Sequence, residues 1–131
     1  ARYHMFESWQ RAREERDMID DAIRDRKIPS VLFISGDRHL AEIMRLPADE
    51  HGIGYPITEV TSSSLNAPSG NITKAGVRFA NEINRYRVGV TFFDVNFGGI
   101  EIDWEQTPPL VRAQVRDEKG AVVLQQKLRL E

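Results

Sequence analysis

Asp37 and His39 stand one residue apart, directly after a short apolar run, Val31-Leu32-Phe33-Ile34, and a small-residue step, Ser35-Gly36. In an extended backbone, side chains at i and i+2 project to one side, so the carboxylate and the imidazole would share a face while Arg38 points away. A strand that ends on that pair has what a metal site at a sheet edge requires. Hard carboxylate oxygens beside a borderline imidazole nitrogen suit iron, manganese, zinc or calcium better than a soft metal. The competing reading is that Asp37 caps the next segment and His39 is an ordinary loop histidine. Spacing alone leaves both open.

Several elements must position this pair. From about Phe6 to Lys27 the pattern is helical: Met18, Ile19, Ala22 and Ile23 recur at helical spacing, with Phe6 and Trp9 as larger anchors on earlier turns. No Gly or Pro interrupts the segment before Pro29, and its charge run (Glu14 to Asp17, Asp20, Asp21 and Arg24 to Lys27) reads as a solvated face. Val31–Ile34 reads as a strand buried on both faces, and Ser35-Gly36 as a sharp turn that allows close backbone approach. Leu40 to Leu46 fits either a strand or a short helix. As a helix it would put His39 and Glu42 on one face, a usable spacing for a carboxylate that orients a metal-bound imidazole. Pro47 to Gly54 reads as a loop with His51 exposed, and Tyr55 to Thr61 as a strand with Ile57 and Val60 as core candidates. The polar, small-residue stretch from Ser62 to Asn71 reads as a loop, and Gly76 to Asn84 as irregular or briefly helical. From Tyr86 onward the chain is strongly β: Tyr86–Phe93, Phe97–Trp104, Leu110–Arg116 and Ala121–Leu130, separated by short polar or Pro-rich links, predict three successive hairpins in a meander.

Composition sets the outer bounds. The chain of 131 residues, 40% hydrophobic and 29% charged, fits one globular domain with a real core. With 18 Lys and Arg against 20 Asp and Glu, the net charge of -2 gives no electrostatic footprint for nucleic acid, and no such partner is expected. The absence of cysteine removes disulfides and thiolate metal sites. No run approaches the ~18–20 apolar residues of a membrane span. The chain opens Ala1-Arg2-Tyr3-His4 without an initiator Met, which favours a piece of a longer polypeptide.

With these residues in view, the chain resembles the C-terminal part of a PhoD-like alkaline phosphatase, a branch of the calcineurin-like metallophosphoesterases. Trp9, Glu15-Arg16 and Ile19 match the family's Trp…Glu-Arg…aliphatic helix, with Ala12 where an aromatic is common. Phe33-Ile34-Ser35-Gly36-Asp37-Arg38-His39-Leu40-Ala41-Glu42 matches its strand-turn motif. Tyr55 to Ser63 and Asn66 match the next block, and Asn84 to Val88, Asn96-Phe97-Gly98 and Ile100 to Trp104 match the last.

The resemblance implies a metal-dependent phosphoester hydrolase of the alkaline phosphatase or phosphodiesterase type. It implies two or more metal ions, iron with calcium or else manganese, with Asp37 and His39 as ligands. Arg38 would face the phosphoryl oxygens on this resemblance, although strand alternation argues against it. The Ser62–Asn66 loop would form one wall, with Asn84 or Arg85 approaching the site. The fold implied is the C-terminal half of an α/β sandwich, helix and buried strand first and a mainly antiparallel meander after. Of the superfamily's upstream ligand motifs, Gly-Asp-x-x-Asp and Gly-Asn-His do not occur in this chain, and no Asp-x-His precedes Asp37-Arg38-His39 itself. Residues 1–131 would therefore be a single domain or fragment that supplies only part of a site, is not competent alone, and has the remainder of a parent chain as partner. A small phosphoester substrate and a periplasmic or secreted location follow from the family. The alternative is a non-catalytic α/β interaction domain that keeps the fold without the site.

Overall fold

The computed structural model describes residues 11–69 and 83–130. Phe6 and Trp9, and residues 76–82 of the stretch read as irregular, lie outside the described residues. The described residues are mixed α/β, mostly strands in two sheets with one α-helix. Helix α1 (Arg13–Asp25) precedes strands β1 (Leu32–Ser35), β2 (Ala41–Leu46), β3 (Ile57–Ser62), β4 (Arg87–Phe92), β5 (Asn96–Asp103), β6 (Leu110–Asp117) and β7 (Val122–Arg129).

Helix α1 ends in a Schellman motif. The Ile28 N–H bonds the Ile23 carbonyl at 2.9 Å and the Lys27 N–H bonds the Arg24 carbonyl at 3.1 Å, with Lys27 at φ +50°. Pro29 then forbids further helix. Among the described residues of the predicted apolar stripe only Ile23 is buried, and Met18 is 70% exposed. The helix end is tied to the lead-in of β3 by Tyr55, whose hydroxyl donates to the Ile28 carbonyl at 2.7 Å and accepts from the Val31 N–H at 3.3 Å.

The first sheet has the order β1-β3-β2-β4, with β1 parallel to β3 and the other pairs antiparallel. The second is the antiparallel meander β5-β6-β7. Ala41, Ile43 and Val60 from the first sheet meet Ala113, Val115 and Leu124 from the second, and Leu32, Val88, Phe92 and Val123 pack around them. Each fully buried Val, Leu or Ile contributes about 1.5–3 kcal/mol relative to exposure, so this layer holds the sheets face to face.

Two expectations change, and one open choice is settled. Strand β1 is not buried on both faces: it is an edge strand paired only with β3 among the described residues, and Ile34 is 70% exposed. Of the strand and the short helix that the sequence leaves open for this stretch, residues 41–46 take the strand: Ala41 and Ile43 both enter the core, and the ladder to β3 runs unbroken from Ala41↔Ser62 to Leu46↔Ile57. The tail makes two hairpins instead of three. Strand β4 pairs with β2, and the chain crosses to the other sheet at Asp94-Val95. A two-residue hairpin needs positive φ in its turn, which Asn-Gly accepts and the β-branched Val95 resists. Asn96 is also held from the first sheet, where Ser62 Oγ donates to its Oδ1 at 2.8 Å.

Candidate functional site

Asp37 and His39 lie just beyond the carboxyl end of β1, beside the carboxyl end of its parallel neighbour β3. Open α/β sheets place ligands outside the carboxyl ends of parallel strands. The two strand ends are fastened by a hydrogen bond of 2.7 Å between the hydroxyls of Ser35 and Thr61.

The segment is a turn and not an extension of the strand. Asp37 has φ +61° and His39 φ +55°, both left-handed. Asp and His are among the few non-glycine residues enriched in that region, and such positions cluster at functional sites because the surrounding structure must enforce them. The glycine is not where the sharp geometry falls: Gly36 is not left-handed, and a Cβ on it would meet the Ser63 Cβ at 3.6 Å, an ordinary contact. The i, i+2 alternation argument therefore does not govern the segment, and it does not decide where Arg38 points. Arg38 is half-buried.

The enforcing contacts come from the loop after β3. Ser63 Oγ accepts the Arg38 N–H at 3.0 Å and donates to the Leu40 carbonyl at 3.1 Å, bracketing His39. The Ser69 N–H bonds the His39 carbonyl at 2.8 Å. The His39 ring is held as well, with Nδ1 2.7 Å from the Ala67 carbonyl oxygen. A carbonyl only accepts, so Nδ1 carries the proton of the neutral ring and Nε2 keeps the lone pair. Metal-binding histidines are oriented by this kind of Nδ1–H to carbonyl bond. The imidazole and the Asp37 carboxylate are both exposed.

Below the turn, Ser64 and Ser69 are 0% and 1% exposed, and their hydroxyls have no hydrogen-bond partner among the described residues. A buried polar group left unpaired costs about 1–3 kcal/mol, and each such group in a native structure calls for a specific reason.

Of the sequence-predicted residues, Asp37, Arg38, His39 and the 62–66 loop come together. Glu42 does not join His39. Residue 39 is in the turn and residue 42 in β2, so no shared helical face exists, and the Glu42 carboxylate accepts from Arg87 Nε at 2.8 Å instead. Asn84 and Arg85 are at the other end of the first sheet, where Arg85 pairs with Glu50 at 2.6 Å. His51 is half-buried, its Nδ1 accepting the Ile53 N–H at 3.3 Å. Sequence reasoning missed Ser63, Ala67 and Ser69 as the supports of the turn; the only signal was the density of small polar residues in that loop. It also missed Asn96, which is buried, donates to the Asp94 carbonyl at 2.7 Å and joins the second sheet to the site loop.

Among the described residues no three His, Cys, Asp or Glu side chains gather as a metal-binding group. Asp37 and His39 thus offer two donors. No helix among the described residues is long and apolar enough to cross a membrane. No family model, curated protein or solved structure matches the chain.

Proposed function

We propose that this chain is the C-terminal part of a PhoD-like metallophosphatase and that its Asp37-Arg38-His39 turn supplies part of the metal site. The observation that carries the reading is the His39 ring, turned so that Nδ1 meets the Ala67 carbonyl at 2.7 Å and Nε2 is left as the donor nitrogen. The donor chemistry fits: an exposed carboxylate and an oriented imidazole at the carboxyl end of a parallel strand pair suit iron with calcium, or manganese. The remaining ligands come from elsewhere in the parent polypeptide, so the chain alone is inactive. When bound, the metal ions supply Lewis acidity and an activated water for attack at phosphorus. The residues of this chain hold the turn that carries both ligands and aim the His39 ring. Ser63 and Ser69 fix the backbone on either side of His39, and the Ala67 carbonyl fixes its tautomer. The substrate is a small phosphoester, and the family places such enzymes in the periplasm or outside the cell.

A second reading, a non-catalytic interaction domain, draws on the exposed apolar residues Phe97, Ile100, Ile102 and Trp104 on and just after β5. Hydrolysis of a monoester and a diester by a polypeptide extended upstream separates the two. The phosphatase reading predicts turnover that H39A abolishes. Turnover that survives H39A, or none in the extended polypeptide, favours the interaction domain.

A further inference from the structure

At the opposite end of the first sheet lies a cleft of about 520 Å³. Its charged lining comes from Arg45 on β2 and Arg85 and Arg87 at the start of β4, with Glu50 on the rim. Arg45 lies four positions along β2 from Ala41 at the site end, roughly 13 Å along the strand. This cleft and the Asp37–His39 turn are therefore separate.

The three guanidinium groups are not equivalent. Arg87 bonds the buried Glu42 at 2.8 Å, and Arg85 bonds Glu50 at 2.6 Å while stacking 4.7 Å from the centroid of the Tyr86 ring. The Tyr86 hydroxyl also bonds Glu50, so the Arg85 end of the cleft is already braced. Arg45 is exposed and enters no ion pair among the described residues. Its backbone is fixed nonetheless, since the Arg45 N–H donates to the Tyr86 carbonyl at 2.8 Å. A guanidinium presented from a rigid strand, with two more in the same cleft, is suited to bidentate recognition of a phosphate-type oxyanion.

The walls indicate what the anion is attached to. Pro47, Pro56, Val88 and the Tyr86 ring line the same cleft. Its volume falls within the ordinary range for small organic ligands, about 300–1,000 Å³, and is larger than inorganic phosphate needs. We infer that the Arg45 cleft binds a phosphorylated small organic molecule, its phosphate on Arg45 and its apolar body against Pro47, Pro56 and Val88. This inference is independent of the metal site.

Calorimetric titration of the chain with phenyl phosphate and with inorganic phosphate tests it, using wild type, R45A and H39A. The expected result is saturable binding of phenyl phosphate, weaker binding of inorganic phosphate, a loss of about tenfold or more in affinity in R45A, and no change in H39A. Binding should also weaken as salt is raised. Full-strength binding in R45A, loss of binding in H39A, equal affinity for the two anions, or no binding at millimolar concentration would each overturn the inference.

Discussion

Arg87 Nε lies 2.8 Å from Glu42 Oε2, and this ion pair joins β4 to β2 with side chains only 16% and 4% exposed. The residues are 45 apart in sequence. Removing one member of such a pair leaves a buried charge without its answer, whereas replacing both with apolar residues removes both desolvation costs.

R87A is accordingly expected to destabilise the chain by about 3 kcal/mol, and the double variant E42L/R87L to recover most of that loss. Urea unfolding of the two variants measures it. A single variant as stable as wild type would mean that the pair is not desolvated.

The His39 tautomer makes a second prediction. Nitrogen NMR at a pH where the ring is neutral should find the proton on Nδ1, held by the Ala67 carbonyl, and the lone pair on Nε2. A ring protonated on Nε2 would remove the orientation on which the proposed metal ligation rests.

Lys27 occupies the left-handed position of the helix-ending motif at φ +50°. A side chain there costs roughly 1 kcal/mol that glycine avoids. K27G should therefore raise stability by up to about 1 kcal/mol, read as a higher denaturation midpoint. A drop would show that the lysine side chain contributes more than the backbone strain takes away.

Asp20 carries a pH signature. Burial raises its pKa from the ordinary 3.8, against the attraction of Arg16 and His51, and its side chain is 22% exposed. The folded state holds this proton more tightly than the unfolded one. The contribution to stability is present below the unfolded value of about 3.9 and is lost as pH rises through the raised folded value. D20N should be the more stable protein at neutral pH, with the difference vanishing in acid. A D20N chain less stable than wild type at neutral pH would mean that Arg16 and His51 outweigh burial.

The sequence was most readable where one face of a strand packs and the other does not. Val111, Ala113 and Val115 alternate with Arg112, Gln114 and Arg116, and β6 follows that pattern, although Gln114 is buried as well, its amide donating to Gln125 Oε1 at 2.7 Å. The apolar run of β1 was ambiguous for the opposite reason. Four apolar residues specify a strand but not how many neighbours it has, and Ile34 lies exposed on an edge strand. The site was visible as a pair of residue types, Asp37 and His39, and invisible as a geometry. Left-handed φ at both residues is imposed by Ser63 and Ser69 from a loop some 25 residues away or more, and local spacing carries no trace of such a contact. The Glu42–Arg87 pair was hidden in the same way, because a carboxylate three residues after a histidine looks like a local partner until the backbone is known to be a strand.

Metal content is the most direct test of the central claim that His39 and Asp37 are ligands. Plasma mass spectrometry would compare a polypeptide extended upstream of this chain, as wild type, H39A and D37N, after identical exposure to iron, calcium and manganese. The account predicts stoichiometric metal in the wild type and a loss of bound metal in both variants while the fold persists. Unchanged metal in H39A and D37N, or no metal in the wild type, would contradict it.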